Sequence, residues 1–198
     1  MESLASGYKF DVFLSVKGDK VFSEWLEQSF IPLFDSYIRN DIIAECKRLP
    51  AGIFYYKNSL APGDPWPDDL RKGIKQSRLA VALCSPEYFY SKWCLTEFHS
   101  FLERGNTSQA KVLIPAAIHD GDGFPAEARS LQTANFSDFV IVGDGFKTTK
   151  KYSDFQDELK KFSKRVAQLI CKVPTFQEWP IVEKNPPGGE PELCQVTL

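Results

Sequence analysis

Residues Leu79–Glu97, LAVALCSPEYFYSKWCLTE, decide the fold. The stretch opens on six consecutive apolar residues, Leu79–Cys84. A strand of that kind is buried on both faces, as happens in a parallel sheet covered by helices on either side. The run stops at Ser85, a good helix cap, and at Pro86, which suits a first helical turn. Ser91 offers a second cap. The spacing therefore predicts a helix in two pieces that runs to about Arg104 and is ended by Gly105. On that helix Trp93 and Glu97 are four residues apart and share a face.

Working outward, Phe10–Val16 (FDVFLSV) is a second apolar strand, closed by Lys17-Gly18-Asp19. Phe22, Trp25, Leu26, Phe30, Leu33, Phe34, Tyr37 and Ile38 then recur at helical spacing, which predicts a helix over about Val21–Arg39, bent at Pro32. Residues 40–52 carry no clear pattern. Ile53–Tyr56 (IFYY) reads as a strand. Lys57–Asp69 (KNSLAPGDPWPDD) is too rich in Pro to be anything but a loop, and loops of that length tend to be functional. Asp68 and Asp69 begin a short helix to about Gln76, acids at its positive end.

Val112–Ile118 (VLIPAAI) is a further apolar strand, with Pro115 placing it near an edge. His119–Pro125 is a Gly/Asp loop, and Phe136–Val142 is the expected last strand. Phe155, Leu159, Phe162, Val166 and Leu169 define a closing helix over about Tyr152–Cys171. Strand and helix alternate about five times, the pattern of an α/β fold with a parallel sheet and helices on both faces. The expected division is an arm at 1–8, one domain at 9–171, and a linker or tail at 172–198. From Val173 the chain turns Pro-rich and aperiodic. Trp179 either docks on the domain or belongs to an unstructured linker.

Composition bounds the rest. The 198 residues are 43% hydrophobic and 25% charged, with 16 Phe, enough to fill one sizeable core. The net charge is −2, so no nucleic-acid footprint exists at whole-chain level. No apolar run is long enough to span a membrane, and Met1–Tyr8 lacks the features of a secretory signal. Five Cys without a CxxC pair point to reduced thiols in a cytosol. GxGxxG, a P-loop, HExxH and GxSxG are all absent, and with two His no metal site is expected. A Ser-His-Asp arrangement of Ser85 or Ser100 with His99 is a weak candidate. Asp120-Gly-Asp122-Gly123 lacks the downstream Glu of an EF-hand and reads as a turn.

One constellation is left. Ligands of an open α/β sheet sit at the carboxyl edge of its strands. The helix of Trp93 and Glu97 starts at that edge, and the loops after the strands at residues 10–16 and 53–56 leave from it. A carboxylate, an indole, a serine hydroxyl and a Pro/Trp-rich lid therefore converge on one cleft.

The order of motifs resembles a TIR (Toll/interleukin-1 receptor/resistance) domain. FDVFLS near the start, L-x-x-G-D at Leu60–Asp64, S-x-x-Y-x-x-S-x-W-C-x-x-E at Ser85–Glu97 and V-L-I-P at Val112–Pro115 occur in sequence over residues 8–170. The resemblance implies a flavodoxin-like, five-stranded parallel sheet. It implies one of two functions: a non-enzymatic adaptor for homotypic signalling, or an NAD+ nucleosidase that cleaves the nicotinamide–ribose bond. On the second, Glu97 is the catalytic carboxylate and Trp93 walls the nicotinamide ribose. Ser15 and Lys17 lie near diphosphate or ribose oxygens. The loop 57–69, with Asp64 and Trp66, gates the site. NAD+ is then a substrate, and no cofactor is needed. The resemblance further implies an immune effector of antiphage type in a bacterial cytoplasm. It would be switched on by TIR–TIR assembly and joined to a sensor domain or subunit, with no direct contact to nucleic acid or membrane. A flavin or nucleotide binder on the same fold is the other class of reading. Two departures stand out. Lysines replace the arginines common after the first strand, so phosphate contacts there are point-like. The connection 40–52 is longer than usual.

Overall fold

The computed structural model describes residues 7–17, 20–56, 67–131 and 134–186. Five strands form one parallel sheet: β1 (Phe10–Val16), β2 (Ile53–Tyr55), β3 (Ser77–Cys84), β4 (Leu113–Ala117) and β5 (Ala134–Asn135). Their spatial order is β2-β1-β3-β4-β5. The chain winds outward from β1 to β2, then crosses back to β3 and winds the other way. The carboxyl ends of β1 and β3 thus flank the switch point, where this topology leaves a crevice. Ser15 of β1 stands beside Ala82 of β3 in register.

The first helical stretch comprises α1 (Lys20–Trp25), a π-helical turn (Leu26–Phe30) and α2 (Ile31–Cys46). The expected bend falls just before Pro32 rather than at it. Pro32 has no N–H for the carbonyl four residues back, and the Ile31 amide instead reaches Leu26. The helix also runs seven residues past its expected end, to Cys46. It lies parallel to α6 (Lys150–Ile170) on one face of the sheet, with Phe34 against Phe162 and the Asp41 carboxylate accepting from Ser163. Trp25, Phe30, Phe34, Phe136 and Phe155, all essentially buried, form the aromatic heart of that layer. Each such ring contributes about 1.5–3 kcal/mol by burial.

The extended α2 corrects the reading of the cysteines. Its last residue meets Cys171 just beyond the end of α6, and the two form a disulfide with Cα atoms 5.2 Å apart. Counting thiols treats each Cys locally, whereas this pair is 125 residues apart and is joined by parallel helices ending level. Cys84 and Cys94 are free and buried.

The opposite face carries α3 (Asp68–Gln76), α4 (Lys92–Ser108) and the short α5 (Ala126–Ser130). Two expectations fail here. α4 does not end at Gly105 but at Ser108, with Gln109 left-handed. Gly105 instead makes room for the chain to fold back over it, since a Cβ there would lie 2.9 Å from the Ala110 carbonyl. The last strand is Ala134–Asn135, not Phe136–Val142. Phe136 donates its amide to Ala117 and buries its ring against Phe30, Phe155 and Phe162, so the chain turns away as a 3-10 turn at Ser137–Phe139.

After α6 the chain returns as an extended strap. Trp179 is 2% exposed and donates its indole N–H to Tyr8 Oη at 3.0 Å. The amides of Val182 and Lys184 donate to Ser100 and Thr96 of α4 at 2.9 and 3.2 Å. Thr96, Ser100 and Arg104 are four residues apart, a polar stripe that the strap covers. Arg104 donates to the Ile74 and Ser77 carbonyls, and its guanidinium lies 5.1 Å from the Trp179 ring centre. Among the described residues, no helix is long and apolar enough to cross a membrane.

Candidate active site

Side chains two apart on a strand share a face, so Phe13 and Ser15 of β1 both look toward α4. Residues four apart on α4 share a face too, and Phe101 meets Phe13 with ring centres 5.6 Å apart. One turn earlier, the same register brings Glu97 onto Ser15. The two elements run in opposite directions, which is why an 82-residue separation closes to a hydrogen bond: Ser15 Oγ donates to Glu97 Oε2.

The segment between β3 and α4 supplies the third member. Ser85 caps a 3-10 turn at Pro86–Tyr90, and Ser91 caps α4. This two-step entry into the helix matches the spacing of the two serines. It turns Tyr88 inward, fully buried, with its ring edge-on to Phe89 and Phe98. Tyr88 Oη lies 2.6 Å from Ser15 Oγ. Ser15, Tyr88 and Glu97, from β1, the 3-10 turn and α4, thus form one hydrogen-bonded set above the β1/β3 switch point.

Electrostatics follow from burial. Glu97 is 7% exposed, and its pKa is pushed up from 4.5 to about 8 because desolvation penalises the carboxylate more than the Ser15 bond favours it. Burial likewise raises the Tyr88 phenol and the Cys94 thiol, both with Glu97 as a further cause, and pushes Cys84 up to about 12. Burial thus favours the uncharged form of the carboxyl, the phenol and both thiols alike.

Trp93 lies one turn before Glu97, half-buried against the main core. Lys17 is exposed just past β1, and its charge reaches Cys94. Asp64 and Trp66 lie outside the described residues. The Ser-His-Asp alternative finds no geometry. Ser85 is engaged as a cap, Ser100 donates to the Thr96 carbonyl, and His99 is 3.6 Å from Glu127. Among the described residues, no group of three or more His, Cys, Asp or Glu is placed to hold a metal ion.

Tyr88 belongs to the Ser85–Glu97 motif, yet sequence reasoning does not mark it as a site residue. The signal that would find it is its position three after a capping Ser and beside the apolar Phe89, which turns a phenol inward. A second buried carboxylate, at the opposite, amino edge of the sheet, carries no sequence signal. Asp11, 1% exposed, accepts from Arg48 and the Ala51 amide, with the Arg78 guanidinium at 3.3 Å.

Fold and site together define a doubly wound α/β domain with an acidic residue at its topological switch point. The TIR domain family profile matches residues 46–170, more than half of the chain, and the protein belongs to that family. Among solved structures the chain is similar to the TIR domains of the activated Roq1 resistosome, which directly recognizes the pathogen effector XopQ. The identity is 24%, over 78% of this chain and 83% of that one, with a TM-score of 0.38. No curated protein matches the chain.

Proposed function

We propose that this TIR domain is an NAD+ nucleosidase whose catalytic carboxylate is Glu97. The observation that carries the proposal is the placement of one buried carboxyl, hydrogen-bonded to Ser15, at the sheet's switch point. NAD+ presents a pyridinium cation bonded to a ribose. When the ribose C1′–N bond breaks, its electron pair goes to the ring nitrogen and nicotinamide leaves neutral, so no general acid is required. That separates this site from glycosidases, which need a second carboxyl for the leaving oxygen. Positive charge develops on the sugar, and Glu97 stabilises it as a carboxylate. Water then adds to C1′ and releases a proton. To act so, Glu97 first gives its proton to solvent, and the positive charge of the bound pyridinium lowers the cost of that step by drawing the pKa back down. Trp93 walls the ribose by stacking. Lys17, Asp64 and Trp66 bind the distal part of the dinucleotide, the last two from the segment that follows β2 in sequence.

The reading extends to the setting: a cytoplasmic immune effector, activated by TIR–TIR assembly and coupled to a sensor. NAD+ is plentiful in that compartment.

A non-enzymatic adaptor is the second reading, favoured by one observation: Glu97 is nearly closed to solvent in the single chain. Concentrated protein, alone and fused to an oligomerising partner, is incubated with NAD+ and free nicotinamide is measured. Release by wild type and its loss in Glu97→Gln are expected. Inert protein in both forms would reject the enzymatic reading in favour of the adaptor.

A further inference from the structure

Beside Glu97 stands a buried phenol that the proposed reaction does not use. We propose that Tyr88 is a positioning residue that sets the direction of the hydrogen bonds reaching Glu97 and so biases it toward the carboxylate. The inference depends on the NAD+-cleaving reading for its kinetic arm alone.

The supply of protons fixes the direction of each bond. A carboxylate only accepts, so with Glu97 ionised Ser15 must give its single proton to Oε2. Ser15 Oγ is then an acceptor for Tyr88, whose hydroxyl proton fills the 2.6 Å bond. Every polar hydrogen in the set has a partner. With Glu97 protonated, its own proton can point to Ser15 Oγ, which turns the Ser15 proton toward Tyr88 Oη. The phenol proton must then leave the bond. Tyr88 is fully buried, and among the described residues Ser15 is the one hydrogen-bond partner its hydroxyl has. A buried donor left without an acceptor is costly. The phenol therefore disfavours the reversed chain and acts against the desolvation of Glu97.

The surroundings isolate this effect. Among the described residues, the titratable or charged groups facing the set are Cys94 on α4, Cys84 on β3 and Lys17 beyond β1. Both thiols stay neutral because burial raises them, and Lys17 is exposed. The rings of Phe89 and Phe98 hold the Tyr88 ring edge-on, so removing only its oxygen leaves the packing in place.

The test is Tyr88→Phe in the full chain, with carbon-13 at the glutamate carboxyls and the Glu97 signal assigned by Glu97→Gln. We expect the Glu97 midpoint to rise by about one pH unit, the equivalent of one modest hydrogen bond, and to rise further in Ser15→Ala. If wild type turns over NAD+, kcat/KM of Tyr88→Phe at pH 6.5 falls about tenfold and recovers above pH 9, the signature of that same one-unit displacement. A purely structural role would depress the rate equally at every pH. An unmoved midpoint in Tyr88→Phe, or a midpoint lowered in Ser15→Ala, overturns the inference. The carboxyl titration decides it even if no nicotinamide is released, an outcome that would instead reject the nucleosidase.

Discussion

Replacing Glu97 with Gln should make the protein more stable at alkaline pH and not at acid pH. The native carboxyl titrates at about 8, the unfolded one at 4.5. Below 4.5 both states are neutral there and nothing is lost. Between the two values the unfolded chain ionises while the native state keeps its proton, so native stability falls as pH rises. Above about 8 both are charged and the penalty is constant. At about 1.4 kcal/mol per pH unit the penalty grows to roughly 5 kcal/mol. A glutamine amide keeps the shape and carries no charge, but adds an N–H that lacks a ready acceptor, worth about 1–2 kcal/mol against it. The expected gain is therefore about 3 kcal/mol at pH 8.5, turning into a loss of about 1–2 kcal/mol at pH 4.5. Urea unfolding followed by tryptophan fluorescence, wild type against Glu97→Gln at half-unit steps of pH, measures it. A difference that does not change with pH, or a variant less stable at 8.5, would mean that burial does not hold this carboxyl neutral. Burial of this carboxyl is thus held at the expense of the fold's stability.

Three further outcomes follow from the packing. Trp179→Ala should cost about 3–5 kcal/mol and speed hydrogen exchange at the Val182 and Lys184 amides; protection that persists would show the strap to be held without its anchor. Cys171→Ser should lower stability by about 2–4 kcal/mol in oxidising buffer. Dithiothreitol should do the same to wild type and nothing to the variant, and indifference of wild type to reductant would count against the pairing. Asp11→Ala takes the shared carboxylate away from Arg48 and Arg78 and should cost about 3 kcal/mol; a change under about 0.5 kcal/mol in a denaturant melt would mean the arginines find equal partners elsewhere.

The alternation of strands and helices, the caps at Ser85 and Ser91, the start of α3 at Asp68 and the place of Glu97 on its helix were all present in the sequence. They rest on local periodicity, which survives whatever the rest of the chain does. Family resemblance, through the ordered motifs, singled out Glu97 among 26 acidic residues. What lay beyond reach shares one cause. The extension of α2 to Cys46 is stabilised by α6 and not by its own weak pattern. The last strand is short because Phe136 finds an aromatic cluster drawn from two distant helices. Cys46 meets Cys171 across 125 residues, Tyr88 meets Ser15 across 73, and the Lys184 amide meets Thr96 across 88. None of these leaves a trace within a window of neighbours, because each side chain's partner is chosen by the register of the sheet and the tilt of the helices upon it. The same holds for the acidity of Glu97. Its residue type belongs to the sequence, but its burial, and with it the energy of its charge, belongs to the fold.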